Sequence, residues 1–591
     1  MKLRSFFLAL AGAVLVLLGI SAGGFYWLAA QSPLNLLDGG KLSSPAAAMF
    51  VPKQAPVLVS LLVDPDDLEA FRVAIAPPEK RRQAREELAQ IKASLLSDRG
   101  LNYETDIQPW LGDEVTLAVT ALDVDRDRSN GQQPGYLLAL ETKNGDRARE
   151  FLQLFWQKRA IAGFDLVFEQ YAGVKLIYGQ RSQLPALDFP LRKRAASTSV
   201  GDSTSNDRPI TALATAVVGD RFVLFANSPK VLREAINNVQ APGLSLSSSK
   251  RYQQAVQQLS SNRVGFSFAN VPQLAQWLNQ PKLGQASTQA SATSSIEQMV
   301  VGLVLNRQGV LADTVILASK DAPFTPSKPA LSEPVSALQY LPAKIPFAAS
   351  GQNLAALWQQ LSTALTGYEG IASLVHQPAK ALEQEWGVPL SAELVDWVER
   401  EFALALLPSG SATDWVFVAE KTPTTQTAIA KLDAIAQKQG LSIGPVTIGE
   451  QKTYAWTQLV TGETTRRQRN RQSSDTIQAE VRGVHTSAGK YEIFSTSVEA
   501  MSLALNNRAN LLNQADFQQA IAPLDSNNNG YLYLDWPTLK PTLEAQLPIL
   551  QLTELAAKPF FDHVRSLTIS SYGGDRTVQR GGLFIRLSNE S

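Results

Sequence analysis

The chain has 591 residues, of which 45% are hydrophobic and 18% are charged. This length exceeds what one hydrophobic core usually supports, so we expect more than one globular unit. Lys plus Arg equals Asp plus Glu at 54 each, which argues against nucleic acid as a partner, because binding it needs a basic surface. The chain contains no cysteine, which excludes disulfides, thiolate metal ligands and lipid attachment through a cysteine.

The first element in chain order is a membrane segment. Residues 6–30 form a mostly apolar run of 25 residues without a charge, long enough to span about 30 Å of bilayer as a helix. Lys2 and Arg4 precede this run, so the positive-inside rule predicts a cytoplasmic N-terminus and an exported chain. A cleaved signal peptide is the rival interpretation, but the run is longer than a usual signal core. We expect residues 1–30 to anchor the chain in an inner or thylakoid membrane, with its bulk in the periplasm or lumen.

Residues 45–320, which follow a polar tether at 31–44, predict a first α+β unit. Short apolar runs bounded by turn residues indicate strands at 57–63, 114–121, 136–141, 174–178, 212–218, 221–226, 263–269, 298–306 and 310–319. Helices are predicted at 79–97 and 146–160, after a cap at Ser228, and after Asn270. Because pairs of strands joined by short turns alternate with helices, the sheets should be largely antiparallel.

A second unit at 334–591, after a Pro-rich linker at 321–333, repeats the first. Tyr252–Leu274 matches Phe517–Leu539 without a gap, with nine of 23 positions identical. Other matched windows keep the same order, including one that pairs Trp110 with Trp397. The period is far longer than that of solenoid repeats, which indicates domain duplication. The predicted fold class is therefore α+β: two tandem homologous lobes with largely antiparallel sheets and flanking helices, preceded by one transmembrane helix.

Two low-complexity loops, 181–207 and 461–476, fall between the same two predicted strands of each unit. Both carry basic residues beside Ser and Thr. The clustered cations are Arg192, Lys193, Arg194, Arg466, Arg467, Arg469 and Arg471. One interpretation is a solvated loop. The other is electrostatic contact with anionic headgroups or an acidic partner, to which each cation near a membrane contributes about 1 kcal/mol.

The sequence predicts no cofactor, no metal site and no catalytic residue. The three histidines, His376, His485 and His563, lack the spacing of paired metal ligands and occupy non-equivalent places in the two units. Asp525–Gly530 begins like an EF-hand loop, but Trp536 stands where the twelfth-position Glu ligand belongs.

Pro109–Glu114, with the sequence PWLGDE, is the most recognisable segment of the chain. Together with the anchor, the Pro before the first strand of each unit and the late hairpins, it resembles an uncharacterised family of exported, membrane-anchored bacterial proteins known from cyanobacteria and actinobacteria. The second unit keeps only the Trp of this segment, at Trp397. The resemblance covers nearly the whole chain, and it implies a location and a fold but no catalytic residue.

From these observations we expect a non-catalytic scaffold or binding protein of the cell envelope or photosynthetic membrane. Its partners would be the membrane, through the N-terminal helix, and another envelope protein. A tethered carrier of an apolar or lipid ligand is the second interpretation, and an unrecognised enzyme is the third. A polar cluster that is confined to one unit and converges in a deep pocket would favour an enzyme, whereas a continuous apolar cavity would favour a carrier.

Overall fold

The computed structural model describes residues 40, 42–66, 102–127, 132–180, 213–278, 295–306, 308–355, 357, 397–409, 412–463, 475–506, 509–540 and 564–587. The predicted membrane segment, the predicted helix at 79–97 and both basic clusters lie outside them. Within these ranges, no helix combines the length and the apolar character needed to cross a bilayer.

The described strands form one open sheet of 20 strands, and each strand runs antiparallel to its neighbours. The strands of the first half of the chain are β1 (Val57–Leu61), β2 (Leu111–Ala121), β3 (Gly135–Thr142), β4 (Asp165–Tyr171), β5 (Val174–Gln180), β6 (Ala214–Val218), β7 (Phe222–Ala226), β8 (Arg263–Asn270), β9 (Ile296–Asn306) and β10 (Gly309–Ala318). Their order in the sheet is β4-β5-β6-β7-β3-β2-β1-β8-β9-β10.

The second half has the same strand order. Its strands are β11 (Phe347–Gln352), β12 (Glu401–Ser409), β13 (Ala412–Glu420), β14 (Ser442–Ile448), β15 (Gln451–Glu463), β16 (Asp475–Ala488), β17 (Tyr491–Ser495), β18 (Gly530–Asp535), β19 (Val564–Gly574) and β20 (Val578–Leu587). From its edge inward the order is β14-β15-β16-β17-β13-β12-β11-β18-β19-β20. Pairing of β10 with β20 joins the halves, and β4 and β14 become the two ends of the sheet.

Helices cover the two faces of the sheet unequally. They are α1 (Gly145–Ile161), α2 (Pro229–Gln240), α3 (Lys250–Gln257), α4 (Val271–Leu278), α5 (Thr425–Lys438), α6 (Val498–Leu505) and α7 (Ala515–Ile521), with 3₁₀ helices at Ala46–Met49, Pro242–Leu244, Leu246–Ser248, Ser336–Tyr340 and Leu511–Asn513 and one π-helical turn at Tyr103–Ile107. On one face, called face A, α2, α3, α6 and α7 cover the two largest apolar cores. On the opposite face B, α1 and α5 cover two smaller cores over the outer strands.

Local signals in the sequence explain where several helices begin. The Ser228 hydroxyl accepts a hydrogen bond from the Lys230 amide at 3.3 Å, with Pro229 in the first turn of α2. Asn270 accepts from the Gln273 amide in the same way at 3.2 Å, and Asp535 caps the matching turn in the second half. The predicted caps at Ser228 and Asn270 are confirmed, as are the α+β class and the antiparallel pairing.

Glu114 on strand β2 binds the start of the 3₁₀ helix Ala46–Met49 through hydrogen bonds. Its carboxylate accepts hydrogen bonds from the amides of Ala46 at 2.8 Å and Ala47 at 2.9 Å, and from the Thr116 hydroxyl at 2.7 Å. The side chain is fully buried, and this burial raises the pKa of Glu114 above its ordinary value.

The raised pKa predicts a pH dependence of stability. Because the folded state keeps the Glu114 proton to higher pH than the unfolded state does, the free energy of unfolding should fall as pH rises from about 4.3, the ordinary Glu value, through the folded pKa. Glu114→Gln should flatten this part of the profile. Urea midpoints measured across a pH series check it. Thr116→Val removes a hydrogen bond that lowers the pKa of Glu114, so it should extend the slope to higher pH. An unchanged slope in Glu114→Gln would assign the slope to other groups.

Candidate binding surface

Two rows of apolar side chains cross the middle of face B, where the two halves of the sheet join. Strand register places one residue from each of β9, β10, β20, β19, β18 and β11 in each row. The first row is Leu303, Ala312, Leu583, Ile569, Leu532 and Ala349, and the second is Leu305, Val310, Ile585, Leu567, Leu534 and Phe347. We call these twelve residues the central apolar face.

The central apolar face is only partly covered. Ile569 is 43% exposed, and most of the other members are half-buried. Residues of the same strands that point to face A, such as Val315 and Phe584, are fully buried. Of the described helices on face B, α1 and α5 pack over the outer strands, and α4 packs beside β8 and β9, with Leu274 against Val119.

The size and chemistry of the central apolar face suit an apolar ligand. Six strands spaced at about 4.8 Å make it roughly 24 Å wide. None of its twelve members carries a polar side chain. A contiguous apolar surface that stays partly exposed often marks a site of association.

The sequence-predicted contact residues cannot be placed on this surface. Arg192, Lys193, Arg194, Arg466, Arg467, Arg469 and Arg471 all lie outside the described residues. The strands that flank their loops are described: β5 pairs with β6, and β15 pairs with β16 at the matching place in the second half. The two loops therefore connect matching strands, and their role in binding stays a prediction.

Sequence reasoning missed a charged cluster beneath α5. His485 is 5% exposed, with its Nδ1 3.5 Å from Glu492 Oε1 and its Nε2 3.5 Å from Asp433 Oδ1. The imidazole stacks between the rings of Tyr454 and Phe494 at centroid distances of 5.5 and 5.7 Å. The two carboxylates approach opposite ring nitrogens, so they cannot join the same nitrogen at one metal ion. Among the described residues, no set of three or more acidic or His side chains could hold a metal.

The charged cluster is confined to the second half. Register places Thr215 where His485 stands, because each lies beside the matched Phe of the next strand. Val223 takes the place of Glu492, and both halves bury these positions. A position-by-position comparison of the two repeats could have revealed the cluster, because it pairs His485 with Thr215 and Glu492 with Val223. In the structure the imidazole and both carboxylates pack under a helix, as polar members of an aromatic core.

A small cleft lies on the first half between the π-helical turn at Tyr103–Ile107 and α1. Its volume is about 250 Å³, and its lining combines Trp110 and Phe151 with charges that include Arg147 and Glu150. This volume is below the roughly 300–1,000 Å³ of typical small-molecule sites. The central apolar face is therefore the stronger candidate.

Comparisons with known proteins identify the family. A solved structure titled "Structure of crystal form I of TP0453" is similar over 47% of this chain and 80% of that chain, at 10% sequence identity and a TM-score of 0.22. The comparison with curated proteins found no match. The family model described as "Protein of unknown function (DUF3352)" matches residues 10–587. This match spans nearly the whole sequence, and the chain therefore belongs to that family of unknown function.

Proposed function

We propose that the chain is a non-catalytic, membrane-tethered binding protein of the cell envelope, built from two homologous lobes that share one binding surface. The observation that carries this proposal is the central apolar face, to which both halves contribute strands across the β10–β20 junction. The apolar run at residues 6–30 supports the tether and the exported location. The identical strand order of the two halves supports the duplication.

The ligand class that fits this surface best is an acyl chain. An uncharged, partly exposed sheet face about 24 Å wide exceeds the roughly 15 Å depth of one bilayer leaflet, so an extended chain can lie across it. Residues 31–39 of the predicted tether span at most about 30 Å when extended, since Gly40 already donates a hydrogen bond to the Arg263 carbonyl, and this length keeps the face within reach of the membrane. An acyl chain bound at this surface would favour the carrier interpretation over the interpretation as a scaffold for other proteins.

A polar substitution should remove this binding. Ile569→Glu places a charge in the middle of the first row. Burying the 43% of the native side chain that is exposed is worth about 1 kcal/mol, and a carboxylate buried under an acyl chain adds a desolvation cost of at least about 1 kcal/mol, so binding should weaken at least about tenfold. Membranes that carry the full chain are exposed to a long-chain fatty acid with a photoactivatable diazirine, and labelled peptides are mapped by mass spectrometry. Wild-type label should fall on strands β9–β11 and β18–β20.

Leu459→Glu on β15 is the matched control, because Leu459 is 69% exposed and lies away from the face. It should leave labelling unchanged, and equal thermal midpoints exclude misfolding of either variant. Labelling that survives in a folded Ile569→Glu protein would refute the carrier. If the wild type is unlabelled but Ile569→Glu alone loses a co-purifying envelope protein, the surface serves a protein scaffold instead.

A further inference from the structure

The two ends of the 20-stranded sheet are protected unequally. Among the described residues, β4 pairs with β5 alone and β14 pairs with β15 alone. An open edge presents unpaired backbone groups to other strands, and proteins commonly block it with proline or charge. The sequence of β14 contains Pro445, whereas β4 contains no proline.

The residue that matches Pro445 on β4 is Phe168. Each end hairpin has a two-residue loop, flanked by the pair Tyr171 and Val174 in one and by Ile448 and Gln451 in the other. Phe168 stands three positions before Tyr171, as Pro445 stands three positions before Ile448. Ala172 and Gly173 both have positive φ, at 50° and 84°, as in a type I′ turn. The closing pair of such a hairpin exchanges hydrogen bonds. By alternation the backbone groups of Leu166, Phe168 and Gln170 then point to the open edge.

Phe168 is exposed on this edge. Its side chain is 60% accessible, and the Lys175 ammonium lies 5.2 Å from the ring centroid. A proline at this position, as at Pro445, has no N–H to offer to an incoming strand. One end of the sheet can therefore accept a strand, and the matching end is blocked.

We infer that β4 is a homotypic docking edge, at which two copies of this chain pair antiparallel about a two-fold axis through Phe168. In this register Phe168 faces its own copy, Leu166 faces Gln170, and Val167 faces Glu169. Asp165 faces Tyr171, so neither acidic residue of the strand meets a like charge. Because Pro445 blocks the far edge, association stops at two copies and does not extend into a filament.

The dimer should be weak in dilute solution and favoured on a membrane. A single strand pair buries less than the roughly 1,200 Å² typical of stable interfaces. Confinement to one bilayer raises the effective concentration of the partners, as a linker does. The inference does not depend on the acyl ligand, because β4 lies at the far end of the sheet from the central apolar face.

The absence of native cysteine allows a direct test in membranes that hold the full chain. In Phe168→Cys, two sulfurs meet across the axis, where a hydrogen-bonded antiparallel pair has a Cα separation of about 5.5 Å, within the disulfide range. Treatment with copper phenanthroline in air should give at least about tenfold more covalent dimer than in Pro445→Cys, the matched variant at the blocked edge. No dimer from folded Phe168→Cys, or equal dimer from both variants, would overturn the inference.

A second variant preserves the aromatic side chain. Leu166→Cys/Gln170→Cys should link two copies through paired bridges, since the two cysteines of one chain lie about 13 Å apart and cannot bridge each other. Adding Phe168→Pro reproduces the proline of β14 and should abolish this dimer without lowering the thermal midpoint, because the Phe168 amide bonds to no neighbour in the sheet. Persistence of the cross-link with the proline in place would rule out edge pairing.

Discussion

Gly530→Ala should destabilise the protein by about 3–5 kcal/mol, while the same change at the matched Gly265 should cost about 1 kcal/mol. Gly530 has a φ of +125°, a conformation that side chains rarely adopt, and a Cβ there would overlap the carbonyl oxygen of Ser350 on the neighbouring strand. Backbone on a central strand cannot move aside without breaking the β11–β18 pairing. The expected loss is therefore near the upper end of single-residue effects.

Gly265 supplies an unusually close control. It occupies the same place in the sheet, opposite Leu61 as Gly530 is opposite Gly351. A Cβ on Gly265 would lie 2.9 Å from Leu303 Cδ1, the flexible end of a side chain that can rotate. Urea unfolding of both variants, followed by circular dichroism, measures the difference. Equal losses would show that the positive φ at Gly530 carries no special cost.

Trp456→Gly should cost about 4 kcal/mol, and three further substitutions should restore about half of it. Trp456 is 3% exposed, and its indole donates to Asp433 Oδ1 at 2.8 Å. In the first half the matching position is Gly179, because Gly179 pairs with Leu166 as Trp456 pairs with Ile443. A tryptophan fills the same space there from α1 instead, since Trp156 lies 3.5 Å from where a Cβ on Gly179 would be.

The buried tryptophan therefore comes from helix α1 in the first half and from strand β15 in the second half. Trp156 and Asp433 each stand seven residues before a positive-φ glycine, Gly163 or Gly440, that ends the helix. Trp156 donates to the Thr215 hydroxyl at 2.7 Å, at the position that His485 takes in the second half.

The rescue variant copies this arrangement into the second half. It combines Trp456→Gly with Asp433→Trp, His485→Thr and Glu492→Val, which reproduces the four first-half residues. Recovery should exceed that of any single added change, because the four positions share one packing site. If the combined variant is no more stable than Trp456→Gly, the backbone of the second half does not accept the first-half arrangement of these four side chains.

Strong local signals allowed the strands and helix starts to be predicted from sequence. The runs at Val57–Leu61 and Phe222–Ala226 are apolar and bounded by turn residues, and Ser228 with Pro229 marks a helix start. The end strand β4 was missed, because Asp165, Glu169 and Gln170 break the apolar pattern at a solvent-facing edge. An edge strand is held by pairing with its neighbour more than by burial, and pairing leaves little trace in composition.

The candidate surface could not be predicted, for a different reason. Leu303 and Leu583 belong to strands separated by about 280 residues, and register alone places them beside Ala312 in one row. Alternation in each strand indicates one buried face, but it does not reveal that face B of β10 and β20 is also apolar at the junction. The charged cluster of His485 was hidden in the same way, because Asp433 comes from a helix and Glu492 from the next strand.

Pairing of β10 with β20 also bears on how the protein is made. The nine residue pairs of this junction cannot form until the last strand has emerged, whereas β10 is complete by Ala318. The 269 residues from 319 to 587 take roughly 13–54 s to emerge at about 5–20 residues per second. During that interval β10 pairs with β9 on one side, and the side that later pairs with β20 is open. Asp313, in the middle of that edge, accepts hydrogen bonds from the amide and the hydroxyl of Ser260 at 2.7 and 2.9 Å, and an inward-pointing acidic side chain on an open edge disfavours pairing with a neighbouring chain.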